Sequence, residues 1–284
     1  MPKNISPLRY PGGKAKLYDY VRKILEENSL LGQTYVEPFA GGAGLALKLL
    51  FEKDVKKIVI NDLDRAIYAF WYCVLNYPDE LCKFINDVPL NVDEWNRQRQ
   101  VYLNQEEYDL LTLGKATFYL NRTNVSGVIS GGVIGGQEQT GNYLIDARFN
   151  KTDLIKRILN IAADSNKIEI SNLDVLDFLE SDVLKKHHKT FVNFDPPYVE
   201  KGGQLYKNSF KESDHTELRN AIKRCGRKWI VTYDVCELTE NLYSNFRKSY
   251  IDINYSVNKT RKAKELIVFS NNLVLPDDIK IDFE

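Results

Sequence analysis

Asp195-Pro196-Pro197-Tyr198 is the stretch of this sequence whose residue types point most directly to chemistry. It follows an apolar run, Lys189 to Phe194, that reads as a strand. Such a strand delivers a carboxylate to the carboxyl edge of a sheet. The two prolines rigidify the chain and remove two backbone donors, so the carbonyls here face a site without competing amide protons. That arrangement suits an exocyclic amino group, which offers two N–H donors and a lone pair tied up in its ring. If Asp195 and the Pro196 carbonyl accept both hydrogens, the nitrogen is held and its lone pair is freed towards an electrophile. Positive charge developing on the nitrogen is then stabilised where it forms. Pro197 stiffens the turn, and Tyr198 would stack on a flipped base.

A second motif, Glu37-Pro38-Phe39-Ala40-Gly41-Gly42-Ala43-Gly44, falls where the strand Thr34 to Phe39 gives way to a helix over Leu45 to Phe51. Glycines at that turn let a ligand approach the backbone closely. The spacing is not that of a dinucleotide fingerprint, and the GK[ST] ending of a P-loop is absent, so a nicotinamide or ATP enzyme fits poorly. About twenty residues further on, Asp62 and Asp64 stand at the end of the next strand, Lys57 to Ile60, where a partner for ribose hydroxyls is expected.

The elements that must position these motifs alternate. A helix over Ala15 to Asn28 precedes the first strand, and together they make a β-turn-α-β unit of the kind that builds a parallel sheet. From residue 65 to about 150 the rhythm is lost: helical, tyrosine-rich, charged segments lead into Ser126 to Gly141, which holds six glycines. A loop of that kind inside a compact protein is either disordered or functional. After Thr152 the rhythm returns, with a helix over Asp153 to Ala163, a strand over Lys167 to Ile170, and a turn and short helix over Leu173 to Glu180. Ser213 reads as the N-cap of a helix to Arg224, Trp229 to Tyr233 as a strand, and Glu237 to Phe246 as a helix. Tyr250 to Ser256 with Glu265 to Ser270 reads as a closing hairpin. The expected fold is α/β: a Rossmann-like, mostly parallel sheet from 1–64 and 151–284, interrupted by a mainly helical target-recognition insertion at 65–150.

The 284 residues suffice for such a domain with an insertion, and 43% hydrophobic with 27% charged residues is ordinary for a soluble protein. The formal net charge of zero argues against coating nucleic acid through charge alone. No apolar run approaches a membrane span and the N-terminus lacks an apolar signal core, so a cytoplasmic protein without membrane contact is expected. The four cysteines form no CxxC pair, and no metal site is implied. Of three basic clusters, Lys259 to Lys264 lies between the presumed hairpin strands, where Lys259 and Arg261 could neutralise phosphates or simply be solvated.

The chain resembles the Dam-like, D12-class DNA adenine N6-methyltransferases over nearly its whole length. Four blocks carry the resemblance in the family's order: Arg9-Tyr10-Pro11-Gly12-Gly13-Lys14, Glu37-Pro38-Phe39-Ala40-Gly41-Gly42, Asn61-Asp62 and Asp195-Pro196-Pro197-Tyr198, with Asp177-Phe178 between the last two. The resemblance implies S-adenosyl-L-methionine as cofactor and N6 of a flipped adenine in double-stranded DNA as substrate. It implies that Tyr10 and Lys14 cover the cofactor's methionine end, Glu37, Phe39 and Gly41 line its pocket, and Asp62 binds its ribose. Asp177 would hold the cofactor's adenine amino group, Phe178 would pack on that adenine, and Asp195 would face both cofactor and target base. Arg122, in Phe118-Tyr119-Leu120-Asn121-Arg122, would contact DNA. Ala43 stands where the family usually has glycine, and Thr123 to Ser130 lack the aromatic and arginine of GATC-specific members, so GATC specificity is not carried over. Competing readings are cytosine N4 in DNA, adenine N6 in RNA, and a silent cofactor- or DNA-binding regulator. A cognate restriction enzyme is a partner such a methylase can have, and a monomer is the default.

Overall fold

A computed structural model describes residues 5–9, 14–199, 210–257 and 259–277, with backbone alone for 15–16, 252–257 and 259–263. Its centre is a sheet of seven strands in the order β3-β2-β1-β4-β5-β7-β6. The strands are β1 Thr34–Glu37, β2 Lys57–Asn61, β3 Ile168–Ser171, β4 Thr190–Phe194, β5 Lys228–Asp234, β6 Arg247–Val257 and β7 Lys259–Phe269. The first five run parallel, and β7 pairs antiparallel with both β5 and β6. This is the Rossmann-like α/β fold read from the sequence.

Every residue of β1 and β4 is buried, as expected of strands covered on both faces. Alternation divides their side chains between two cores. Tyr35, Ile58, Phe191, Ile230 and Ile267 pack on one face with the helices α1 Tyr18–Glu27, α2 Gly44–Phe51 and α3 Arg65–Asn76. Val36, Val59, Val192, Val231 and Val268 pack on the other with Phe178, Leu218 and Tyr243.

Chain order and sheet order part company at β1, which has β2 on one side and β4 on the other. The connections leave β1 and β4 in opposite directions there and open a crevice at the strand carboxyl ends, the usual ligand position in an open α/β sheet. Both sequence motifs follow these two strands.

The interruption after β2 is helical: α3, α4 Pro78–Asp87, α5 Val92–Leu103 and α6 Leu110–Thr123, before α7 Lys151–Ala162 returns to the sheet. Each start except that of α4 is capped by an aspartate or asparagine: Asp64, Asn91, Asp109 and Asn150 accept from backbone N–H groups of the first turn. The insertion has no core of its own. Its buried Phe70, Trp71, Trp95, Leu113, Phe118 and Tyr119 belong to the cluster that also holds α1, α2 and one face of the sheet.

Three local expectations are corrected. The helix of Ser213 begins at Glu212, so Ser213 lies in its first turn while Asp214 accepts from the Lys211 N–H. The helix after β5 stops at Leu242, because Arg247 onwards is recruited into β6. Lys259 to Lys264 form no turn: the hairpin strands extend to Val257 and Lys259, placing the basic stretch within β7. Among the described residues no helix is long and apolar enough to cross a membrane.

Candidate active site

The crevice between β1 and β4 opens into a cavity lined by both motifs. Glu37 to Leu45 contribute the first wall, Asn61 to Asp64 the second, Leu173 to Val175 the third, and Asn193, Asp195 and Pro197 the fourth. The insertion supplies a cover from Ile67, Tyr102 and the stretch Gly127 to Ser130.

Backbone hydrogen bonds shape the first two walls. Gly41 at φ 45° turns its N–H to Asp62 Oδ2 at 2.8 Å, and its carbonyl accepts from the Trp71 indole at 2.9 Å. Ala43, the departure from the family's glycine, adopts φ 46° at the N-cap of α2, a left-handed conformation that glycine takes without steric penalty. Asp62 Oδ1 accepts from the Asp64 N–H at 3.0 Å, so each oxygen of Asp62 is oriented and still has acceptor capacity. Asn61 joins three strand ends, donating to the carbonyls of Pro38 and Leu173 and accepting from Leu173 N–H and Ser171 hydroxyl.

Burial pushes the Asp62 carboxyl up to about 7, aided by the neighbouring charge of Asp64 and opposed by the two N–H donors. Burial pushes Glu37 up to about 8 although it accepts from the Tyr35 hydroxyl at 3.0 Å. Asn193 is 1% exposed, and its Oδ1 has no hydrogen-bond partner among the described residues.

The fourth wall is organised by charge. Lys14 is buried with its ammonium 3.1 Å from Asp195 Oδ1 and 3.0 Å from Glu265 Oε2, and it also contacts the Tyr198 hydroxyl. The Thr232 hydroxyl donates to Asp195 Oδ1 at 3.0 Å. Both contacts therefore fall on one oxygen, Oδ1, and the Asp195 side chain is 26% exposed. Burial works against the Lys14 ammonium, but Asp195 and Glu265 outweigh it and hold its pKa above the ordinary lysine value. Burial raises Asp195 and Glu265, with Lys14 pulling both the other way.

Of the residues read from the sequence, Lys14, Glu37, Phe39, Gly41, Asp62, Asp195 and Pro197 line this cavity. Pro196 is buried and does not line it. Tyr198 is placed differently from expectation: its ring is 6% exposed and its hydroxyl donates to Glu265 Oε1, so it is tied into the charged network rather than presented for stacking. Asp177 and Phe178 are corrected as well. The short helix α8 Val175–Glu180 must bury Val175, Phe178 and Leu179 against the sheet, which turns Asp177 out to solvent. The carboxylate at the cavity is Asp174, the N-cap of α8, which accepts from the Leu176 N–H. Arg122 is corrected too. Its guanidinium donates to the carbonyls of Arg148 and Pro7, and burial among other arginines brings it down to about 9. It fastens the insertion's last loop to the N-terminal segment. Tyr10 and the side chains of Lys259 and Arg261 lie outside the described residues.

Sequence reasoning missed Asn193, Thr232, Tyr102 and Glu265; it marked Ser126 to Gly141 as a loop either disordered or functional, without placing its start over the cavity. That loop is ordered by two buried asparagines of α6 and its end: Asn121 donates to Gly127 O and Arg9 O, and Asn124 to Val128 O and Ile129 O. A Cβ on Gly127, at φ 78°, would sit 2.4 Å from Arg9 O, so only glycine allows this approach. The one visible signal for Glu265 was a charge leading an apolar run, Leu266 to Phe269.

Comparison with known proteins shows the family. The family described as D12 class N6 adenine-specific DNA methyltransferase matches residues 10–258. The chain belongs to that family. It is an adenine-specific DNA methyltransferase, and it is similar to proteins named as methyltransferases. The type II methyltransferase M.MjaIII of Methanocaldococcus jannaschii is 24% identical over 67% of this chain and 68% of its own. The modification methylase StsI of Streptococcus sanguinis is 22% identical over 94% of this chain, which spans only 42% of that protein's length. Among solved structures, the rRNA methyltransferase aviRa from Streptomyces viridochromogenes aligns with 92% of this chain and 85% of its own at 13% identity and a TM-score of 0.38.

Proposed function

We propose that this methyltransferase binds S-adenosyl-L-methionine in the β1/β4 cavity and methylates N6 of an adenine flipped from double-stranded DNA, with Asp195 holding the amino group. The charge of the cavity supports the choice of cofactor. Five carboxylates (Glu37, Asp62, Asp64, Asp174, Asp195) line it against one ammonium, Lys14, which is already paired. With Glu37 and Asp62 raised towards neutrality, such a site offers a phosphate no spare cation among the described residues and favours a ligand bearing positive charge and hydroxyl donors. Asp62 would accept from ribose hydroxyls, Asp174 stands where Asp177 was expected, and the unpartnered Asn193 Oδ1 offers an acceptor within reach of the bound ligand. Bound S-adenosyl-L-methionine supplies the electrophilic methyl.

The observation that carries the role of Asp195 is its loading on one oxygen. Lys14 and Thr232 fix Oδ1, which leaves Oδ2 as the acceptor we assign to an amino hydrogen. Accepting that hydrogen localises the nitrogen lone pair and stabilises the charge that forms during transfer. The residue acts by orientation and electrostatics, and the methylated nitrogen would lose its extra proton to solvent after transfer. The insertion, whose loop covers the cavity, is the part we assign to DNA contact. The two named relatives are a type II methyltransferase and a modification methylase, so a cognate restriction enzyme in the cytoplasm is the partner to seek.

The test uses labelled S-adenosylmethionine, unmethylated genomic DNA and nucleoside analysis. Label in N6-methyladenine that disappears in Asp195→Ala, by about a thousandfold or more, is the expected result. Label on cytosine or only on RNA overturns the substrate, and undiminished transfer by Asp195→Ala overturns the site.

A further inference from the structure

The turn after β4 is pinned from two neighbouring strands. The Thr232 hydroxyl of β5 donates to Asp195, and the Val199 N–H donates to Asp234 Oδ1 at the end of β5 at 3.0 Å. From β7, Glu265 Oε1 accepts the Tyr198 hydroxyl at 2.5 Å. Glu265 also takes the Lys14 ammonium at 3.0 and 3.2 Å on its two oxygens. It is 1% exposed. The register opposes it to Asp234 on β5 and Ile251 on β6. Since β7 runs antiparallel to β5, its middle lies at the carboxyl edge of the parallel strands, where Glu265 pairs with Asp234, the last residue of β5.

Two buried carboxylates, Asp195 and Glu265, share the ammonium of Lys14. Stability alone gives no reason for the second carboxylate, because each buried ion carries a desolvation penalty that its partner only partly offsets. What Glu265 adds is control over the first pair. It draws the ammonium to a point between itself and Asp195, so Asp195 is oriented through Oδ1 without being wholly neutralised. It also fixes the far end of the turn through Tyr198.

We propose that Glu265 is a positioning residue for methyl transfer: by holding Lys14 and the Tyr198 hydroxyl, it sets the place and the charge of the Asp195 carboxylate that receives the amino group. This rests on the role given to Asp195 above. The groups facing Asp195 are Lys14 from the turn before α1, Glu265 from β7, Tyr233 and Asp234 from β5, and Tyr35 and Glu37 from β1. Among the described residues Lys14 is the cation in contact with Asp195. Replacing Glu265 by glutamine keeps an acceptor for Tyr198 but leaves Lys14 to Asp195 alone, which favours the ionised form of Asp195.

The experiment compares Glu265→Gln, Glu265→Asp, Asp195→Ala and the wild type in single-turnover methylation across pH, with S-adenosylhomocysteine binding by calorimetry and melting temperature measured alongside. Glu265→Gln is expected to lose about tenfold to a hundredfold in rate, the scale of a small misplacement in a site. Its acid limb should move to lower pH by about half a unit or more, while S-adenosylhomocysteine affinity stays within about twofold. Glu265→Asp, which restores the charge, should return the acid limb to its wild-type position and be faster than Glu265→Gln. It also carries the test should Glu265→Gln fold poorly. A Glu265→Gln rate within about twofold of wild type, an unmoved acid limb in both variants, or Glu265→Asp slower than Glu265→Gln overturns the proposal. Full activity in Asp195→Ala overturns the underlying site assignment instead.

Discussion

The two sides of the β1/β4 crevice handle buried carboxylates in opposite ways. On the β1/β2 side, Glu37 and Asp62 are oriented by N–H and hydroxyl donors, and burial lifts them to about 8 and about 7. On the β4/β5/β7 side, Asp195 and Glu265 share the ammonium of Lys14. The first side is electrostatically incomplete until something with donors or positive charge enters. The second carries a cation of its own and is oriented before any ligand arrives. A binding wall that gains its partners from the ligand thus faces a reaction wall that carries its partner with it.

The largest effect expected from breaking this contrast comes from Lys14→Met, which would leave Asp195 and Glu265 buried together without their cation. Loss of one partner of a buried ion pair costs about 3–5 kcal/mol, readable by chemical denaturation, and methylation should be lost with it. If the variant unfolds at the wild-type midpoint, the reaction wall is not held together by Lys14. Smaller in stability but large in binding is Asp62→Asn, expected to weaken cofactor affinity by about tenfold to a hundredfold, the worth of a hydrogen bond to a charged group.

The pH dependence follows from the same carboxyl. A raised Asp62 is protonated below about 7, and accepting ribose hydroxyls favours its ionised form. Cofactor affinity should therefore fall as pH drops through that region, by at most about tenfold per unit for one proton, and titration calorimetry should find this slope lost in Asp62→Asn. A slope that persists in the variant would move the titrating group elsewhere. Smallest is Glu37→Gln. A carboxyl whose folded pKa lies above its unfolded value makes the wild type lose stability as pH rises from the ordinary glutamate range towards about 8. Glutamine has no proton to lose, so the variant should melt above wild type at pH 8.5, with the gap closing towards pH 5. A gap that widens in acid would show Glu37 to be ionised in the fold.

Local sequence encodes the order of elements and the ends of the strands that matter. Apolar runs such as Phe191 to Phe194, the glycines at 41 and 42 and the Pro196-Pro197 pair specify their conformations through burial period and backbone restriction. Local pattern alone therefore puts Glu37, Asp62 and Asp195 at a carboxyl edge. Which side chains meet is settled by packing between distant segments. Asp174 and Asp177 are three positions apart and chemically alike, and only the need to bury Phe178 turns one of them to the cavity and the other to solvent. Arg122 reads as a free cation in a chain, yet the packing of residues 5–9 and Arg148 consumes its donors. Lys14 and Glu265 lie 251 positions apart, so no local pattern links them. They meet because β7 enters the sheet antiparallel beside β5, a consequence of register and burial across the whole domain, which neighbouring residues do not encode.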